Sequence, residues 1–112
     1  MVLNLSNPWD IPDWLEKKVR ARDKLCAYCS VRLKEYPRTK GTPGDKATWE
    51  HIDNDEKNIS ESNIVLCCGS CNSSKSAKEL CVWLKSYYCK RKNITQKAIM
   101  NKIVRRYLET HC

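Results

Sequence analysis

The sequence predicts a small α+β domain: a two-stranded core joined to a pair of cysteine knuckles, with α-helices on its flanks. Three observations carry this. Two short apolar runs, 47–52 and 63–67, have the length and the β-branched content of strands. Cysteine pairs of the form Cys-x-x-Cys stand on either side of them, at Cys26/Cys29 and Cys68/Cys71. Apolar residues outside this centre recur at helical spacing.

The 112 residues suit one domain spanning the whole chain. Leu, Ile and Val number 9, 7 and 6, and there is no Phe, so the core is thin and an added constraint is expected. No apolar run approaches the roughly 20 residues of a membrane span. With Gly at 3 and Pro at 4, the chain is neither collagen-like nor a long disordered segment, and it lacks the size and glycines of a Rossmann enzyme.

In chain order, residues 1–9 read as an irregular arm. Asp10 is a candidate cap for a first helix, with Pro12 and Asp13 in its first turn. Trp14, Leu15 and Val19 form its apolar stripe, and it runs to about Lys24. Residues 25–35 hold the first cysteine pair in a tight ribbon. Pro37, Gly41, Pro43 and Gly44 make 36–45 a loop. A strand over Ala47 to Ile52 and another over Asn63 to Cys67 flank a polar loop. A helix is predicted from Asn72 or Ser73, with Leu80, Trp83, Leu84, Tyr87 and Tyr88 as its buried stripe. Lys75, Lys78, Lys85 and Lys92 fall on the opposite face. A last helix starts near Thr95, capped by Asn93 or Thr95. Its inner face is Met100, Ile103, Val104, Tyr107 and Leu108, with Lys97, Lys102, Arg105 and Arg106 mostly outside. The Trp and Tyr residues of these stripes read as core.

The net charge is +8, distributed as +3 over 1–45, −3 over 46–70 and +8 over 71–112. A basic chain suits a polyanionic partner, nucleic acid first. An acidic centre between basic flanks suits a site that holds a cation beside a phosphate, although ordinary solvated charge has the same pattern.

Of eight cysteines, four make the two pairs. A two-residue gap lets both thiolates reach one ion, and two such pairs complete a closed, tetrahedral Cys₄ zinc site. Cys67 competes in register with Cys68, but as its strand neighbour it points to the other face and reads as a core thiol. Cys81 and Cys89 read as packing residues, and Cys112, with His111, as a frayed, exposed end. No signal peptide is visible, so a reducing, cytoplasmic setting is expected.

Between the knuckles lie Thr48-Trp49-Glu50-His51-Ile52-Asp53, then Asn63-Ile64-Val65-Leu66, then Cys71-Asn72-Ser73-Ser74-Lys75. Together with the lead-in Val19-Arg20-Ala21-Arg22-Asp23, this order resembles the HNH endonucleases, the ββα-metal or His-Me finger family. The resemblance covers about residues 19–78 and leaves about 79–112 as a helical extension. It implies a ββα-metal core and a DNA endonuclease using Mg²⁺ or Mn²⁺. His51 would be the general base, Glu50 and Asn72 ligands of the catalytic cation, and Asn63 the central Asn that braces the ββ loop. Lys75 would contact phosphate, and Lys78 and Lys85 extend the basic face toward DNA. Asp is commoner in the family at the Glu50 position, and the Pro and paired Gly often found after His51 are missing. The family includes bacterial, phage and mobile-element enzymes.

The chemistry agrees with this assignment. A near-neutral imidazole suits activation of water, and a hard cation with oxygen ligands suits the phosphoryl charge. Double-stranded DNA is the expected partner, with the protein a monomer or homodimer. On a strand, Glu50 and His51 face opposite ways, so one site can use both only at a bulge or at the strand end. Two rivals remain at this point: a non-catalytic zinc-stabilised nucleic-acid-binding module, and a redox-responsive zinc switch. Asn72 has a competing reading as a helix cap.

Overall fold

The computed structural model describes residues 9–34 and 43–112. Most of the arm (1–8) and of the predicted loop (35–42) lies outside the described residues. The fold is α+β, with two antiparallel strands between an N-terminal helix and four C-terminal ones.

Helix α1 spans Asp13–Arg22. Pro12 is its N-cap, extended at ψ 151°, and its carbonyl accepts from the Leu15 and Glu16 amides. Asp10 is therefore not the cap; it lies upstream in the left-handed region at φ 57°. Asp13 and Glu16 in the first turn and Arg20 and Arg22 in the last complement the helix dipole. Leu15 and Val19 are buried, with Ile11 beside them. Trp14 sits about 100° around the helix from Leu15 and is 60 % exposed, so it is not part of the stripe.

The first knuckle is a tight ribbon. Leu25 bridges Arg32, the Cys26 amide donates to the Val31 carbonyl, and Ser30 turns at φ 64°. Strand β1 (Ala47–His51) pairs antiparallel with β2 (Ile64–Cys68), Glu50 opposite Val65 and His51 opposite Ile64. Alternation divides the core. Ala47, Ile64 and Leu66 pack with α1, while Val65 and Cys67 face the larger cluster around Tyr28, Leu80 and Trp83.

Helix α2 (Gly69–Lys75) begins three residues before the predicted start, because the Cys68 thiol caps it by accepting from the Cys71 amide. Asn72 is thus inside the helix and is not its cap. A Cβ on Gly69 would meet the Pro43 carbonyl oxygen at 3.1 Å, so the crossing 43–46 segment explains the glycine.

The long helix expected after Asn72 is three short ones: α2, α3 (Leu80–Trp83) and α4 (Tyr87–Lys92). Ser76 breaks the first at φ 48°, and Glu79 and Ser86 cap the next two by accepting from the Val82 and Cys89 amides. Side chains that offer the backbone such bonds start new helices and interrupt a continuous one. Leu80 and Trp83 are buried as expected, but Tyr87 is 77 % exposed.

The last helix, α5, spans Lys102–His111. Its cap is Asn101, whose Oδ1 accepts from the Ile103 and Val104 amides. Thr95 caps only a turn at Ala98, and Met100 lies before the helix and is exposed. Cys112 is not frayed and Cys81 is not a packing thiol: the two form a disulfide that joins α5 to α3. That bond departs from the expected set of reduced thiols. None of the helices in the described residues is long and apolar enough to cross a membrane.

Candidate functional site

The sulfurs of Cys26, Cys29, Cys68 and Cys71 all lie within 4.8 Å of one another, with Cys29 and Cys68 3.8 Å apart. A tetrahedral ion with bonds of about 2.3 Å would set sulfurs about 3.8 Å apart, so the cluster can hold one metal ion. The amides of Tyr28, Cys29 and Cys68 point at the Cys26 sulfur at 3.3–3.4 Å, and the Tyr88 hydroxyl at Cys71 at 3.3 Å. Such donors favour thiolate over thiol. Without an ion the four sulfurs share protons unequally: hydrogen bonds among them draw Cys29 and Cys68 toward the thiolate, Cys68 to about 7, and push the Cys26 and Cys71 thiols up against the donors that point at them. Cys67 points to the opposite side of β2, with its sulfur 3.7 Å from the Thr48 hydroxyl.

One strand away is a buried polar network. Glu50 Oε2 accepts from the Tyr28 hydroxyl at 2.7 Å and from Lys75 Nζ at 2.9 Å. The same ammonium donates to Asn54 Oδ1 at 2.7 Å. Lys75 has no exposed surface, which corrects its placement among phosphate contacts. Lys78 and Lys85 do stand exposed. Asn54 in turn donates to the Ala77 and Lys78 carbonyls, pinning the ββ loop to the end of α2.

His51 is the last residue of β1 and is 8 % exposed. Its Nε2 is shielded from solvent and has no hydrogen-bond partner among the described residues. Burial lowers its pKa, against an upward pull from Glu50 and Asp53, so the ring is held toward its neutral form. The Trp9 indole packs edge-on against it, with centroids 5.4 Å apart.

Asn63 ties the ends of the ββ loop together. Its Oδ1 accepts from the Asp53 amide, and its Nδ2 donates to Asp53 Oδ1 and the Asn58 carbonyl. Asn72 Nδ2 donates to Thr48 Oγ1 and the Trp49 carbonyl, both at 2.9 Å. Two acceptors at one end assign which end of the amide is the nitrogen.

Glu50, His51, Asn54 and Asn72 line one cavity of about 370 Å³, with Trp9, Trp49 and Glu56 at its other walls. Strand alternation does send Glu50 and His51 to opposite faces, and the cavity reaches both because it lies at the end of β1. The sites of the candidate cation and of the cysteine cluster are thus separate. Carboxylate and amide oxygens such as those of Glu50 and Asn72 are the donor type a hard cation takes, and both residues line this cavity. Glu50 Oε2 is already held by Lys75 and Tyr28.

Several of these participants were not in the sequence reading. Tyr28 carries a weak signal, as the aromatic inside the first cysteine pair. Asn54 carries none. Asp23 stands in the lead-in to the first knuckle but without a role there: buried, it binds the Leu66 amide, Arg22 and Asn101, linking α1, β2 and the start of α5.

Compared with known proteins, the chain matches no family profile, no curated protein and no solved structure.

Proposed function

We propose that the protein is a divalent-metal-dependent DNA endonuclease, with zinc bound by Cys26, Cys29, Cys68 and Cys71 as a structural ion. The observation that carries this is His51, whose Nε2 has no hydrogen-bond partner among the described residues and which lines one cavity together with Glu50 and Asn72. An imidazole nitrogen without a bond, at a strand end beside a carboxylate, is equipped to take a proton from water. His51 accepts that proton as the water oxygen attacks phosphorus. The P–O3′ bond breaks, and the leaving oxygen becomes a hydroxyl with a proton from solvent. Asn63 holds the loop that follows His51 and so orients the ring. A bound Mg²⁺ or Mn²⁺ would offset charge on the phosphoryl and leaving oxygens, and Glu50 and Asn72 are the residues that would hold it. Lys78 and Lys85 would meet backbone phosphates, making binding strongly salt-dependent.

The Lys75–Glu50 pair favours a second reading. A carboxylate already compensated by a buried ammonium has less charge to offer a cation, which suits a zinc-stabilised module that binds nucleic acid without cutting it. Supercoiled plasmid incubated with Mg²⁺ or Mn²⁺ separates the two. The nuclease nicks or linearises it, and folded, zinc-loaded His51→Ala does not. Binding without cleavage in both metals supports the module. Equal cleavage by both proteins removes His51 from the chemistry.

A further inference from the structure

We propose that Cys81 and Cys112, joined by a disulfide in this structure, form with Glu79 a second zinc site once that bond is reduced. The site stands on its own residues and does not rest on the nuclease reading.

Among the described residues, two groups of metal-ligating side chains converge. One is the cysteine cluster. The other is Glu79, Cys81 and Cys112, whose two sulfurs and one carboxylate oxygen all lie within 4.8 Å of one another. Glu79 is the N-cap of α3, Cys81 lies in the first turn of that helix, and Cys112 follows α5.

The donor set selects the metal. Two thiolates with one carboxylate suit zinc rather than the hard ions Mg²⁺ and Mn²⁺. Zinc–sulfur bonds of about 2.3 Å would set the sulfurs about 3.8 Å apart. The Cα atoms of Cys81 and Cys112 are 5.8 Å apart, so rotation of the two side chains opens that spacing without moving the backbone. Three protein ligands leave the fourth tetrahedral position to water. Glu79 and Cys112 are exposed and Cys81 is half-buried, which gives both an ion and a reductant access.

The carboxylate is held in place beforehand. Glu79 Oε1 accepts from the Val82 amide at 3.2 Å, and Oε2 from the Tyr107 hydroxyl at 3.1 Å. Outer bonds of this kind orient a ligating carboxylate. The Tyr107 bond also ties α5 to α3 independently of the disulfide, and Val104 and Leu108 pack in the core. The three donors therefore remain neighbours when the S–S bond opens.

The exchange balances as follows. A dithiol reductant supplies two electrons and two protons and becomes a disulfide itself, leaving two thiols on the protein. Zinc displaces those two protons. Metal and disulfide thus exclude each other at this place, and each one fastens α5 to α3. With the disulfide intact, the cysteine cluster alone binds metal.

The test counts zinc on the full chain. Oxidised protein and phosphine-reduced protein are dialysed to equilibrium against the same low-micromolar free zinc, then analysed for metal and protein. The oxidised chain should hold one zinc and the reduced chain two. Cobalt(II) added to reduced protein with a zinc-filled cluster should give thiolate-to-cobalt absorption in the near ultraviolet, and oxidised protein should give none. Cys81→Ser with Cys112→Ser should hold one zinc in either condition. Glu79→Gln should weaken the second zinc roughly 100-fold, and Tyr107→Phe, which removes only the supporting hydroxyl, roughly tenfold. The retained first zinc and the melting temperature show that each variant is folded. One zinc in both redox states overturns the proposal. A second zinc that persists in the double serine variant overturns it too, because that ion is adventitious surface binding. Wild-type affinity in Glu79→Gln would strike the carboxylate from the site.

Discussion

Lys75 and Glu50 form an ion pair sealed from solvent, Nζ to Oε2 at 2.9 Å, and the pair fastens α2 to β1. Neither charge is left alone, since Tyr28 and Asn54 supply the remaining bonds. Removing one partner strands the other in a low-dielectric interior. Lys75→Met and Glu50→Gln should each cost about 3–5 kcal/mol in urea unfolding, and the double variant should recover a large part. Additive losses would mean that the two side chains act independently.

The cysteine cluster gives a second expectation. A single zinc per chain should be found by elemental analysis. Cys71→Ser should lose it and unfold, because binding energy in such sites is folding energy. Cys67→Ser should keep the metal, since its sulfur faces Thr48 on the other side of β2. A Cys67→Ser protein without zinc would move the ligand set by one residue.

The Asp53–Asn63 closure predicts a pH dependence. Burial pushes the Asp53 carboxyl up, but hydrogen bonds from Asn58, the Asp55 amide and Asn63 outweigh it, and the net shift is downward. The unfolded chain therefore takes up this proton first, near the ordinary value of 3.8. The stabilisation is present above that pH and is lost as pH falls through the lower folded value. Asp53→Asn should remove that part of the acid sensitivity. Comparing the variant with wild type cancels the larger effect of acid on the thiolates. Unchanged acid sensitivity would place the titration elsewhere.

What was legible in the sequence was local. The two Cys-x-x-Cys spacings and the two strands could be read because their signals lie within a few residues. The Asn63 brace followed from the resemblance, whereas the strand-end position of His51 did not: the strand was read to Ile52, and a bulge or a strand end both stood open. Lys75 was misread because its solvent-facing periodicity was computed on one long helix, and that helix breaks at Ser76. Its partner Glu50 is also remote in sequence, joined to it only by the packing of α2 on β1. Met100 and Trp14 read as core by periodicity alone, yet one precedes its helix and the other sits off the buried line. The Cys81–Cys112 bond depends on where α3 and α5 come to rest, which no spacing encodes.

That disulfide carries the last prediction. It closes a segment of sequence separation 31 that contains α4 and α5. Cross-linking a loop of this length limits the unfolded chain by about 3.5 kcal/mol in the entropic model. The cysteine cluster is separate from it, at the junction of the first knuckle and α2. A non-thiol reductant, or Cys81→Ser with Cys112→Ser, should therefore lower the unfolding midpoint while zinc stays bound. The loss should be confined to the C-terminal helices, with hydrogen exchange rising across 102–111 before it rises in β1 and β2. Release of zinc on the same treatment would show that the two cysteine systems are coupled and would favour a redox-responsive zinc switch. An unchanged midpoint would mean that the packing of Val104 and Leu108 in the core already holds α5 without the bond.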